Sequence, residues 1–193
     1  MKVSKGARIT LFVVLLLIAD QVVKILVKTN MQVGQSIHVL GDWFQILFIE
    51  NNGMAFGLQF GEGFGKLALS LCRLALIAVI IVYLSKLLKR PNTPTGVLFG
   101  LAAILTGAIG NEIDSLFYGV IFDYAPLFFG KVVDMLYFPI IDTTLPPEFP
   151  IWGGRHIIFF RPIFNIADSC ITCGAIYLLL FQWKFFANKQ EQE

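Results

Sequence analysis

Four stretches of this chain are mostly apolar, and each is long enough to cross a bilayer. They cover about residues 9–27, 67–88, 96–116 and 163–186. A spanning helix needs about 20 predominantly apolar residues, so all four are expected to be transmembrane helices. The connection over about 29–66 has a different pattern. Ile37-His38-Val39-Leu40 and the run from Trp43 to Ile49 are β-rich, and Gly41-Asp42 between them is a hairpin signal. Glu50-Asn51-Asn52-Gly53 then marks a turn. Trp43, Phe44, Phe48, Phe56 and Phe60 suit a small sheet at a membrane interface, where aromatic residues collect. The connection over about 117–162 contains Pro126, Pro139, Pro146, Pro147 and Pro150 and is expected to be irregular, with one short helix. No internal repeat or low-complexity tract appears. The expected fold is all-α and membrane-embedded: a single polytopic domain over 1–193, with four helices and a small β-hairpin or sheet between helices 1 and 2.

Composition supports the bilayer as solvent. Of 193 residues, 56% are hydrophobic and 15% charged, against about 25% charged in soluble domains; mean hydropathy is +0.74. A net charge of +2 with no basic stripe does not suggest a nucleic-acid partner. Lys2, Lys5 and Arg8 precede the first helix. Lys86, Lys89 and Arg90 flank the Pro91-Asn92-Thr93-Pro94 turn, and Lys184 and Lys189 close the fourth helix. The positive-inside rule makes these three ends cytoplasmic and the two longer connections external. The first apolar stretch contains Asp20 and Lys24 and is followed by no small-residue cleavage site, so it is not a cleavable signal peptide. Cys72, Cys170 and Cys173 form no even disulfide framework. Cys170-x-x-Cys173 has no second such pair or nearby His, which favours a structural role over a redox or metal one.

Ionisable side chains inside spans are costly and usually face a cavity or a partner. Here they are Asp20, Lys24, Arg73, Asp114 and Asp168, with Glu112 near the end of the third span. A rise of about 1.5 Å per residue places all of them toward the outer leaflet. Asp20 and Lys24, four apart, suit an ion pair on one helix face. Too few cations remain to neutralise Asp114 and Asp168 as well. A polar cluster at one depth is what a site working on a membrane-embedded substrate needs. Two carboxylates sharing a site do not readily both ionise; one holds a proton while the other acts as base on water. Such a pair hydrolyses a peptide without a metal or covalent nucleophile. A zinc site lacks ligands, since His38 and His156 lie in different connections and no HExxH occurs. Two other readings stay open. A Ser–Lys peptidase would have to combine Ser169 with Lys131. A small transporter or channel-like protein would use the aspartates for ion coupling, although four helices without inverted-repeat symmetry argue against it.

Five residue strings resemble lipoprotein signal peptidase (signal peptidase II). Asp20-Gln21-Val22-Val23-Lys24 is similar to that family's D-x-x-x-K, and Asn51-Asn52-Gly53-Met54-Ala55-Phe56-Gly57 to its N-x-G-x-A-F. Gly107-Ala108-Ile109-Gly110-Asn111-Glu112-Ile113-Asp114 resembles G-A-x-G-N-x-x-D. Gly130-Lys131-Val132-Val133-Asp134 resembles G-x-V-V-D, and Phe164-Asn165-Ile166-Ala167-Asp168-Ser169 resembles F-N-x-A-D-S. Each motif alone is weak; five in order along a membrane chain are specific. The resemblance implies catalytic aspartates at Asp134 and Asp168, and substrate-binding or supporting roles for Asp20, Lys24, Asn51, Gly53, Asn111, Asp114 and Asn165. It implies no cofactor and no metal. The implied substrate is a prolipoprotein with a diacylglyceryl-modified cysteine, cut just before that cysteine at the outer face of the bacterial inner membrane. Membrane lipids are the other expected partner, and a monomer the expected state.

The chain departs from the pattern twice. The family usually carries Arg after the Asp of the third string, where this chain has Ser115, so an ion pair there is missing or rerouted. Asp114 and Asp134 are also 20 positions apart, more than the family's spacing, which makes Asp123 in Gly119-Val120-Ile121-Phe122-Asp123 a rival. Asp134 is preferred because Gly130 to Asp134 fits residue by residue. The extra length then reads as an insertion before the motif, with a second one over about 142–155.

Overall fold

The computed structural model describes residues 4–53 and 64–187. The stretch Met54 to Gly57 of the second string, and with it Phe56 and Phe60, lies outside them. Helix α1 spans Lys5–Asn30, α2 Phe64–Leu88 and α3 Thr95–Ile113. A π-helical turn, Asp114–Tyr118, and a short α4, Gly119–Ile121, continue the third helix beyond its expected end. Counted together, Thr95–Ile121 joins α1 and α2 as the three helices, among the described residues, long and apolar enough to cross a membrane. The fourth apolar helix, α5 at Ile166–Phe181, has 16 residues and is followed by α6 at Trp183–Ala187. It begins later than its hydropathy suggests because Ile163 and Phe164 are taken up by a strand.

The chain forms two compact units: one of residues 1–23, 51–132 and 166–193, the other of 24–50 and 133–165. In the first, Thr95–Ile121 is the inner helical segment, mostly buried where α1 and α2 are mostly exposed. Small residues explain how close its neighbours come. A Cβ at Gly107 would overlap the Ala167 carbonyl of α5, and one at Gly174 would come within 2.8 Å of the Gly100 carbonyl. Glycine lets apolar helices approach backbone to backbone where lipid supplies no hydrophobic drive. Ile77, Ile80, Leu84, Leu98, Leu101, Leu105 and Leu178 fill the remaining core. At one end, Lys5 Nζ donates to the Pro91 carbonyl at 3.4 Å, so the start of α1 and the α2–α3 turn lie together. Gly96 packs there against Tyr177 and Gln182.

The second unit contains a four-stranded sheet in which Ser36–Leu40, Phe44–Asn51, Val132–Tyr137 and Ile163–Phe164 neighbour one another in that order. The expected hairpin is present as β1 (Ser36–Leu40) antiparallel to β2 (Phe44–Asn51). The 117–162 connection is more regular than its prolines suggest. It supplies β3 (Val132–Tyr137), which pairs antiparallel with β6 (Ile163–Phe164). It also supplies a separate hairpin of β4 (Ile141–Thr144) and β5 (His156–Phe159). Phe44, Phe138 and Phe164 stack across the sheet, with ring centroids 4.6 and 5.8 Å apart. Phe48 turns inward and is only 2% exposed.

Candidate active site

Polar residues of the helical unit gather where α1, α3 and α5 meet. Asp20 does not simply serve its own helix. Its Oδ1 accepts from the Ala167 amide at 2.9 Å, capping the first turn of α5 from another element. The first N–H groups of a helix have no partner within it, and a carboxylate there also meets the positive end of the helix dipole. Gly110 makes the approach possible, since a Cβ at that position would stand 2.8 Å from Asp20 Oδ2. The Gln21 amide donates to Asp20 Oδ2, to the Gly110 carbonyl and to Asp114 Oδ1, at 3.0 to 3.2 Å. Tyr118 Oη donates to Gln21 Oε1 at 3.1 Å. Asp20, Asp114 and Tyr118 are all buried.

Each candidate catalytic carboxylate is held by an asparagine. Asp168 lies in the first turn of α5, and its Oδ1 accepts from Asn111 Nδ2 at 2.7 Å. Asp134 lies on β3, 3% exposed, and its Oδ1 accepts from Asn165 Nδ2 at 2.7 Å. Asn165 also donates to the Val133 carbonyl at 3.3 Å. Asp168 follows Asn165 by three positions in the chain. The helical unit thus brings Asp20, Asn111, Asp114 and Asp168 to one polar end. Asp134 and Asn165 pair within the sheet unit, and Lys24 is fully buried. Asp123 is exposed, at φ 53 just after α4.

The Asn51–Gly53 turn has two braces. Asn51 Oδ1 accepts from the Gly53 amide at 2.8 Å, as in a turn capped by its own side chain. Arg73 of α2 donates through Nη2 to the Gly53 carbonyl at 3.1 Å and through Nη1 to Ser115 Oγ at 3.3 Å. The position where Ser115 replaces the usual arginine is therefore reached by a guanidinium from α2. Glu112, 2% exposed, lies within electrostatic reach of Arg73. Lys28 pairs with Glu50 in the sheet unit.

Three participants were not singled out as site residues from the sequence: Gln21, Tyr118 and Arg73. Gln21 had a signal, an amide beside Asp20 inside an apolar run. Tyr118 stands four positions after Asp114, on the same helix face. Among the described residues, no three His, Cys, Asp or Glu side chains gather as a metal ligand set. Cys170 and Cys173 are free thiols on α5.

Comparison with known proteins points one way. The family model for signal peptidase (SPase) II matches residues 12–184. The lipoprotein signal peptidase of Porphyromonas gingivalis is 45% identical over 93% of this chain and 84% of its own length. That of Amoebophilus asiaticus is 40% identical over 86% and 73%. That of Pelodictyon phaeoclathratiforme is 37% identical over 90% and 89%. Among solved structures, a bacterial membrane enzyme determined by the in meso method at 2.3 Å is 27% identical. It matches with a TM-score of 0.64 over 96% of this chain and 93% of its own.

Proposed function

The chain belongs to the signal peptidase II family, and we propose that it cuts diacylglyceryl-modified prolipoproteins just before the lipidated cysteine, using Asp134 and Asp168. It is a membrane-embedded aspartic peptidase that removes signal peptides from prolipoproteins. The transporter reading is not favoured by that membership. The observation behind the residue assignment is the matched pair of asparagine amides, Asn165 on Asp134 and Asn111 on Asp168, both at 2.7 Å. A side-chain amide fixes the carboxylate rotamer and spares it unsatisfied burial.

In this mechanism one aspartate is protonated and the other ionised. The ionised one takes a proton from water as the water oxygen bonds to the scissile carbonyl carbon. The protonated one hydrogen-bonds the carbonyl oxygen as it gains negative charge. When the tetrahedral adduct collapses, the C–N bond breaks and the nitrogen leaves with a proton from a carboxylic acid. No covalent enzyme intermediate forms. Asp20, Asp114 and Gln21 support the α5 end that carries Asp168. Lys24 is assigned a supporting role on the same grounds of motif and burial.

The fourth apolar helix is taken as a span. Sixteen residues of α5 rise about 24 Å, and α6 extends the segment toward the ~30 Å of a bilayer core. The Lys5–Pro91 contact and the Lys/Arg placement favour cytoplasmic termini, with the aspartates toward the outer face of the inner membrane. A monomer in contact with membrane lipids is sufficient for this chemistry. The test is direct: the detergent-purified protein is incubated with a diacylglyceryl-modified precursor, and released signal peptide is measured. A failure to cleave the lipidated precursor, or equal cleavage of an unlipidated one, counts against the proposal.

A further inference from the structure

We infer that Arg73 is a positioning residue of the peptidase site, setting the Asn51–Gly53 turn relative to the end of α3. This rests on the reading of Asp168 and Asn51 as site residues. A guanidinium within an apolar helix is costly and needs a purpose. Arg73 reaches two neutral acceptors on two different segments, the Gly53 carbonyl at 3.1 Å and Ser115 Oγ at 3.3 Å. The Ser115 hydroxyl in turn donates to the Asn111 carbonyl at 3.0 Å, and the Asn111 amide holds Asp168 Oδ1 at 2.7 Å. An unbroken series of hydrogen bonds therefore runs from the turn to a candidate catalytic carboxylate.

Two further observations fit a fitted brace rather than a chance contact. Gly53 has φ +79, and a Cβ there would stand 3.0 Å from Arg73 Nη1, so the guanidinium packs closely against a backbone that favours glycine. Glu112, also buried, lies within electrostatic reach of the guanidinium. Arginine suits the task because its planar fork reaches two acceptors at fixed angles, whereas lysine offers one compact charge. Asn111 keeps its own bond to Asp168 when Arg73 is removed. The loss should therefore fall on substrate placement rather than on the chemical step.

The test measures KM and kcat separately on the lipidated precursor for Arg73→Gln, Arg73→Lys, Ser115→Ala and the Arg73→Gln/Ser115→Ala double variant, with melting temperature in detergent alongside. Removing partly buried hydrogen bonds of this kind should raise KM about tenfold in Arg73→Gln, with kcat within about threefold. Arg73→Lys should not restore KM. Ser115→Ala, the milder change if Arg73→Gln folds poorly, should raise KM less. The double variant should match Arg73→Gln, because both act through one connection. A wild-type KM per folded molecule in Arg73→Gln and Ser115→Ala, with or without lowered stability, overturns the inference. If the wild-type protein itself releases no signal peptide, the function assignment is what fails.

Discussion

A carboxylate in an apolar helix is visible in a sequence as an interruption, but its partner is not. Asp20, Asp114 and Asp168 stand out in this way, and so does Arg73. What the pattern could not supply is the pairing: Asn111 with Asp168 is 57 positions apart, Asn165 with Asp134 31, and Ala167 with Asp20 147. Asp20 and Lys24 looked like a local pair because they share a helix face. The tertiary fold also offers Asp20 an uncapped helix start, which no local pattern reveals. The dyad assignment makes a strong prediction. Asp134→Asn and Asp168→Asn keep shape but cannot move a proton, so each should lower turnover by roughly three orders of magnitude or more. Asp123→Asn, at an exposed turn, should stay within a few-fold of wild type. Loss of cleavage in Asp123→Asn but not Asp134→Asn would reverse the choice. For Asn51, the bond to the Gly53 amide and the proposed bond to substrate separate by chemistry. Asn51→Asp retains an acceptor for Gly53 but loses the amide donor; Asn51→Ala loses both. If Asn51 donates to the substrate backbone, both variants should lose five- to a hundredfold in kcat/KM, the value of about 1–3 kcal/mol. Full activity in Asn51→Asp would leave only the turn-capping role.

At the scale of elements, the helices were readable because a bilayer demands long apolar runs, while their ends were set by neighbours. Hydropathy cannot tell that Ile163 and Phe164 extend β3's sheet rather than α5. Nor does it see that the third helix passes Asp114 through a π-helical turn. Such turns are rare and often occur at functional sites. The strand β3 was missed although Val132 and Val133 are good strand formers. Prolines before and after it made the whole connection look irregular. The α3–α5 contact makes a prediction that belongs at this scale. In Gly107→Ala the new Cβ overlaps the Ala167 carbonyl, and the two backbones must separate. Overpacking of this kind costs about 1–3 kcal/mol. Melting in detergent should drop by several degrees, and cleavage should fall with it because Ala167 and Asp168 are adjacent. Gly6→Ala, with nothing within 4 Å of the added carbon, should melt like wild type. Equal melting of the two variants would contradict the packing account.

For the whole molecule, exposed apolar side chains such as Val79, Ile121, Leu179 and Leu180, each more than 60% exposed, face lipid rather than water. The chemistry assigned to the aspartates asks for no metal. Cleavage of the lipidated precursor should survive exhaustive chelation, and loss in chelator that zinc restores would sink the aspartic mechanism. The cap that Asp20 provides has a consequence for biogenesis. During synthesis α1 leaves the ribosome well before the amide it caps, that of Ala167, 147 positions later. Until then the carboxylate of Asp20 has entered the membrane without the N–H group it serves, and the start of α5 does not yet exist. Helix α1 waits for α5. A chain that stops before residue 166 therefore holds neither this closure nor Asp168, and should release no signal peptide.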